Sequence, residues 1–284
     1  MWLCAYQNVT LRRSRLIPVR NDMNAPTQDI AAVESLLAFW RDAGVDACYQ
    51  DAAIDRTYVE PPAAKAVAKA TASVLVQLDS VDVTAEARRL AAGADTLEAL
   101  AEAVAVFEGC ALRGMGARQA VFGRGDPAAP ILIIGEGPGA EEDAQGAPFV
   151  GKAGKLLDRM LDAAGLTGKV FITNTVFWRP PGNRTPTAQE QATCAPFVER
   201  AFTILRPKAV LLLGAAAAKS VLQTDEGIMR MRGQWRDWRL AEGDVSAPAL
   251  PTLHPAFLLR QPQAKKQAWA DMLSLAARLE DAAD

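Results

Sequence analysis

From Ile131 onward the chain repeats one pattern: a short apolar run, a turn, then a stretch with helical spacing. The apolar runs are Ile131–Ile134, Val170–Thr175, Ala209–Leu213 and Ala249–Leu253. Helical patterns follow at Ala153–Ala164, from Thr187 to about Leu205, on to Leu222, and over roughly 263–281. Strands that alternate with helices predict an α/β fold with a central parallel four-stranded sheet and helices on both faces. Thr187 and Glu190 have the spacing of a capping box at the start of the longest helix.

The N-terminal third is helical in character. Ile30, Val33, Leu36, Leu37, Phe39 and Trp40 recur at helical spacing between Thr27 and Ala43, and the pattern stops near Gly44. Residues 60–80 are alanine-rich around Pro61 and Pro62 and read as a linker or a loose helix. Residues 83–107 read as helix in two pieces around Gly93, followed by an apolar piece Ala120–Phe122 and a turn Gly123–Pro127. Residues 1–26 lack an apolar core followed by a cleavage site, so they read as a disordered arm or an overextended start, with Met23 the natural beginning. Residues 27–284 then form a single domain whose helical part runs to about 107.

Three strands end in chemistry. Ile134 leads into Gly135, Glu136, Gly137, Pro138 and Gly139, then Glu141, Glu142 and Asp143. The second ends at Asn174, and the last at His254, the only histidine in the chain. Ends of parallel strands share one rim of the sheet, where open α/β folds build their sites. The glycine turn is not a dinucleotide fingerprint, because its spacing is G-x-G-x-G and three carboxylates stand where a pyrophosphate wants donors. Gly146–Ala153 matches G-x-x-x-x-G-K, but Ala153 replaces the hydroxyl that a phosphate loop needs, so an NTPase is disfavoured. One histidine and scattered cysteines make no metal set.

Charge and cysteine usage narrow the partner. The chain has 31 basic and 33 acidic residues, net −2, which argues against a protein that coats nucleic acid but leaves room for a local basic groove. Cys4, Cys48, Cys110 and Cys194 lie far apart with no C-x-x-C, which suits reduced thiols and a cytoplasmic protein. No apolar run approaches the length of a membrane span.

Together, GEGPGAEED, GAPFVGKAG, ITNTVFWRPPGNRTPT and LPTLHPAFLLR resemble, in order, the successive motifs of the uracil-DNA glycosylase superfamily, most of all its family-four bacterial and archaeal type. The match runs from about residue 95 to the C-terminus, and LLAFWRDAGVDA resembles the family's N-terminal helix. The resemblance implies a monofunctional hydrolase of base excision repair. It would cleave the N-glycosidic bond of uracil flipped out of single- or double-stranded DNA and leave an abasic site.

Residue roles follow from the same resemblance. Phe149 would stack on the base, Gly137 would line its pocket, and Asn174 would read its edge with one acceptor and one donor. His254 would donate to uracil O2 as negative charge grows. Glu136 would orient water or stabilise the cationic sugar. Glu142 would crowd C5 against thymine's methyl or help with water. Leu258 or Phe257 would wedge into the gap left by the base, in a loop formed by HPAFLLR. Arg260, Arg184 and Arg232 would contact phosphate, with Arg230, Arg236, Arg239 and Arg179 as further candidates. The protein would act as a monomer. A non-catalytic or differently specific nucleic-acid-binding member of the superfamily is the alternative.

The family-four type usually holds a [4Fe–4S] cluster on four cysteines. Here Cys110 and Cys194 match the second and fourth positions, while Phe107 and Trp178 stand at the first and third. Two thiolates do not complete that shell. The expectation is no cofactor, apolar packing by Phe107 and Trp178, and two reduced thiols near each other. The PPGNRTP loop also lacks the histidine of the superfamily's covalent-trapping branch, so ordinary turnover is expected.

Overall fold

The computed structural model describes residue 34, residues 83–241 and residues 243–281. The chain divides into two compact units, Met1–Ala64 and Lys65–Asp284, and the fold below belongs to the second. The expectations for residues 1–26, for the helix from Thr27 beyond Glu34, and for residues 60–80 fall outside the described residues.

The second unit opens with helix α1 (83–92) and helix α2 (Leu97–Val106), the two pieces expected around Gly93. Thr96 caps α2 by accepting from the Ala99 amide. Strand β1 (Gly123–Gly125) follows, then β2 (Ile131–Gly135), α3 (Ala140–Gln145), α4 (Lys152–Ala163) and β3 (Val170–Asn174). The chain continues through α5 (Ala188–Leu205), β4 (Ala209–Leu213), α6 (Gly214–Leu222), α7 (Ile228–Met231) and β5 (Arg236–Arg239). It closes with β6 (Ser246–Thr252), α8 (Pro255–Arg260) and α9 (Lys265–Asp281).

The six strands lie in the order β1-β3-β2-β4-β6-β5. The four central strands are parallel, as the alternation predicts. The sheet as a whole is mixed, because β1 and β5 close its edges antiparallel. This corrects the four-stranded expectation. Glycine disfavours a strand, so Gly123-Arg124-Gly125 carries no local strand signal, and only pairing with β3 extends it. β5 is a four-residue edge with three charged residues, a composition that guards an open edge. Its buried Trp238 stacks on Phe202, with ring centroids 4.0 Å apart.

Successive side chains on a strand point to opposite faces, and that sorts the core into two layers. Leu132, Ile134, Phe171, Val210 and Leu212 pack with α2, α5 and α6. Ile131, Ile133, Val170, Ile172, Leu211 and Leu213 pack with Leu157 and Leu161 of α4 and with Met272 and Leu275 of α9. A fully buried side chain of this size contributes about 1.5–3 kcal/mol, so the rim they carry is rigid. Thr187 and Glu190 form the expected capping box, with Thr187 N donating to Glu190 at 2.8 Å and Glu190 N to Thr187 Oγ1 at 3.2 Å.

Two short helices bear directly on the site. The acidic run is a helix, α3, whose first turn holds Glu141, Glu142 and Asp143. Carboxylates belong there because the helix N-terminus carries partial positive charge. HPAFLLR is also a helix rather than a loop. Pro255 occupies its first turn, where a missing N–H costs nothing, and His254 is its N-cap.

Candidate functional site

Parallel pairing places Gly135 directly beside Asn174 at the carboxyl rim of the sheet. A cavity of about 470 Å³ opens above this rim. Glu136, Gly137, Glu142, Phe149, Asn174 and His254 all line it, so every residue assigned to chemistry or base reading meets in one place. Phe257, Arg260 and Arg184 also line it, as do Pro180, Asn183 and Pro186 of the proline-rich loop.

Asn174 lines the cavity from the end of β3. It is 1% exposed, and neither its Oδ1 nor its Nδ2 has a hydrogen-bond partner. A buried amide left unpaired costs about 1–3 kcal/mol per group, so such an arrangement persists where a ligand completes it. Gly135 makes room: a Cβ there would come within 2.5 Å of both Asn174 Oδ1 and the Phe149 ring.

Phe149 supplies an aromatic wall, 5.7 Å from the His254 ring between centroids and tilted by 33°. Its backbone lies at φ +55°, a left-handed conformation that costs an L-residue about 1–2 kcal/mol. Strained backbone of this kind is held by its surroundings and clusters at functional sites. Gly154 of α4 is part of that hold, since a Cβ on it would overlap the Phe149 carbonyl.

His254 accepts the Ala256 amide on Nδ1 at 3.1 Å. A neutral ring so capped carries its proton on Nε2, the nitrogen the cap leaves free. Burial, reinforced by the charge of Arg260 and opposed by Glu142, lowers its pKa to about 4. The imidazole is therefore neutral at physiological pH, a donor without a charge.

Glu142 is engaged twice. One carboxylate oxygen accepts from Gly139 N at 3.1 Å and the other from Gly151 N at 2.9 Å. It thereby ties the two glycine loops together. Glu136 is half-buried and its carbonyl accepts from Thr175 Oγ1 at 2.6 Å, which fixes the turn that presents it.

The expected DNA contacts divide. Leu258 is 0% exposed and packs against Leu253 and Ala268, so it is not an available wedge. Helical rather than loop geometry turns it inward and sends its neighbour Leu259 out, at 44% exposure. Leu259 is the exposed leucine of this helix, a distinction that a loop reading of HPAFLLR does not make. Phe257 is half-buried in the cavity wall, and Arg260 is exposed at its mouth. Arg184 donates to both Glu190 oxygens, at 2.8 and 2.6 Å, and holds that carboxyl below its usual pKa, fastening the loop to α5. Arg232 is committed elsewhere, to the buried Asp271 and to Gln267 O. A guanidinium bound to a buried carboxylate in this way is less available to phosphate than an unpaired one. Arg236 pairs with Glu226 at 2.6 Å, while Arg230 and Arg239 are exposed.

Cys194 donates to Cys110 across 3.9 Å, and both are buried. That bond lowers the Cys110 pKa and raises that of Cys194, which burial raises further. Phe107 and Trp178, at the other two cysteine positions of the family-four pattern, are buried in an aromatic cluster. Their centroids are 6.3 Å apart, and Phe197 lies 5.2 Å from Phe107. Two thiols and two packed rings do not fit a four-thiolate cluster. Among the described residues no group of three or more His, Cys, Asp or Glu could hold a metal ion, and no helix is long and apolar enough to cross a membrane.

Comparison with known proteins agrees with this geometry. Residues 122–273 match the family described as the uracil DNA glycosylase superfamily. The chain is 38% identical over 178 residues to the type-4 uracil-DNA glycosylase of Sulfurisphaera tokodaii, covering 61% of this chain and 80% of that one. It is 38% identical over 168 residues to the type-4 enzyme of Thermotoga maritima, covering 58% and 84%. A type-5 uracil-DNA glycosylase of Thermus thermophilus is 35% identical over 118 residues, covering 36% and 53%. With the rim, the unpaired amide and the neutral histidine in one cavity, and more than half of the sequence within the family match, this chain belongs to the uracil DNA glycosylase superfamily.

Proposed function

We propose that this protein is a uracil-DNA glycosylase that hydrolyses the N-glycosidic bond of uracil flipped out of DNA. The observation that carries this reading is the buried carboxamide of Asn174, unpartnered in the cavity that Phe149 and His254 also line. A carboxamide offers an acceptor to N3–H and a donor to O4 of uracil. Cytosine reverses both, so it would leave two buried groups unpaired. Phe149 stacks on the base, and Gly137, having no side chain, lets its backbone border the pocket.

Breaking the bond between C1′ and N1 leaves its electron pair on the base and positive charge on the sugar. The Nε2–H of His254 donates to uracil O2 as that oxygen becomes negative, and a neutral donor does so without first binding an anion. The carboxylate of Glu136 stabilises the cationic sugar or orients the water that attacks C1′. The water's oxygen becomes the abasic-site hydroxyl, and its proton leaves to solvent or a carboxylate. Glu142, with both oxygens already bonded, crowds C5 more readily than it activates water.

Leu259, together with Phe257, takes the wedge role, and Arg260 meets phosphate, with the free edge of Arg184 beside it. The reaction runs without a [4Fe–4S] cluster, a reading supported by the aromatic plug at Phe107 and Trp178. We place the protein in the cytoplasm as a monomer, a setting that fits two buried thiols kept reduced. Single- and double-stranded oligonucleotides bearing one uracil, incubated with the protein and then with alkali, test the central claim. Strand scission at the uracil is expected; intact strands would overturn it in favour of a binding-only member of the superfamily.

A further inference from the structure

Arg124 has no place in the reaction above, yet it is bonded to the residue on which the base would stack. It sits in β1, the three-residue edge strand, opposite Ile172 of β3. Its Nε donates to the Pro148 carbonyl at 2.8 Å, and its Nη2 donates to the Phe149 carbonyl at 3.2 Å. The same Nη2 meets Asp158 Oδ1 of α4 at 2.6 Å. One rigid guanidinium therefore grips two successive carbonyls and is itself anchored to the helix behind them.

What it grips is strained. Four non-glycine residues among those described have positive φ. Arg206 and Gln223 are helix C-caps, and Asn183 is in the 3-10 turn Pro181–Asn183, ordinary places for that conformation. Phe149 is the exception: a buried aromatic in a loop that lines the cavity. Relaxing to negative φ would rotate the peptide and carry the ring off Gly135 and away from the base plane.

We propose that Arg124, fixed by Asp158, is a positioning residue that holds Phe149 in its left-handed conformation and so sets the stacking face for the flipped base. The proposal rests on the uracil-cleaving reading for its kinetic arm only. Backbone carbon chemical shifts of Phe149 report its φ directly, whether or not the protein cleaves DNA. In R124A those shifts should move out of the left-handed range, and kcat/KM on uracil-containing DNA should fall about tenfold, the ratio set by about 1.4 kcal/mol. D158N, which leaves the guanidinium in place but unanchored, should give a smaller shift and a smaller loss. In the F149A background R124A should have almost no further effect on kcat/KM, because the ring it aims is gone. A purely structural arginine would lower the melting temperature in both backgrounds and leave Phe149 unmoved. Unchanged Phe149 shifts in R124A, or losses that simply multiply in R124A/F149A, overturn the proposal. If the wild-type protein leaves uracil-containing strands intact, the proposed function fails and the shift measurement alone decides the clamp.

Discussion

Replacing Asn174 with alanine separates activity from stability. In the protein without substrate, the Asn174 side chain is 1% exposed and both of its polar atoms lack partners. Each buried, unpaired group costs about 1–3 kcal/mol, so its removal offsets much of the packing lost with the side chain. The space left joins an existing cavity rather than forming a sealed void. The melting temperature of N174A should therefore stay within a few degrees of wild type, where about 1 kcal/mol corresponds to roughly 2–4 °C. On the proposed function the same two atoms would each bond a flipped uracil, and their loss would leave N3–H and O4 buried and unpaired. Two such penalties sum to about 2–6 kcal/mol, or between about 30-fold and about 3 × 10⁴-fold in kcat/KM. Thermal unfolding and alkaline cleavage of a uracil-containing oligonucleotide measure the two quantities on one preparation. The reasoning is refuted if N174A retains wild-type activity. It is equally refuted if its activity loss merely tracks a large fall in melting temperature, since Asn174 would then be a structural residue.

Three other outcomes follow from the geometry. The His254 ring should show no titration near the ordinary histidine value of 6.5 and should protonate near 4 in an NMR titration. Its folded pKa lies below the unfolded one, so the unfolded chain takes up the proton first. This contribution to stability is then lost as pH falls from about 6.5 to about 4, and activity falls near 4 as protonation breaks the Nδ1 cap. L258A should destabilise by about 2–5 kcal/mol as a core truncation, whereas L259A should change stability by less than about 0.5 kcal/mol. L259A should nonetheless cut activity on duplex DNA more than on single strands, and equal loss on both would remove it as a wedge. Iron and acid-labile sulfide analysis of purified protein should find no stoichiometric cluster, and C110S should retain uracil cleavage; a full [4Fe–4S] content would reverse the proposal.

Much of this site is legible in one dimension because strand ends in a parallel sheet share a rim. Glu136, Asn174 and His254 are 38 and 80 residues apart in sequence, yet each follows an apolar run that ends at the same edge. Apolar runs, glycine turns and a capping box are local signals, and the local energy terms that produce them survive in the folded chain. The order of motifs was enough to expect the superfamily and a cavity wall at GEGPG.

What the chain order could not carry is every decision made by contacts far apart in sequence. β1 exists because β3 offers it a partner, although two of its three residues are glycine. Arg232 is bound to Asp271, 39 residues away, because that carboxylate is buried and needs its charge. Leu258 and Leu259 are identical to a sequence reader; only the helix capped by His254 decides which is core and which is exposed. Asn174 reads as a turn residue or a base reader until tertiary packing removes every other partner from its amide. Residue types and their spacing determined the chemistry available to this protein. The three-dimensional packing determined which groups were left unsatisfied, and an unsatisfied buried group is what specifies a ligand.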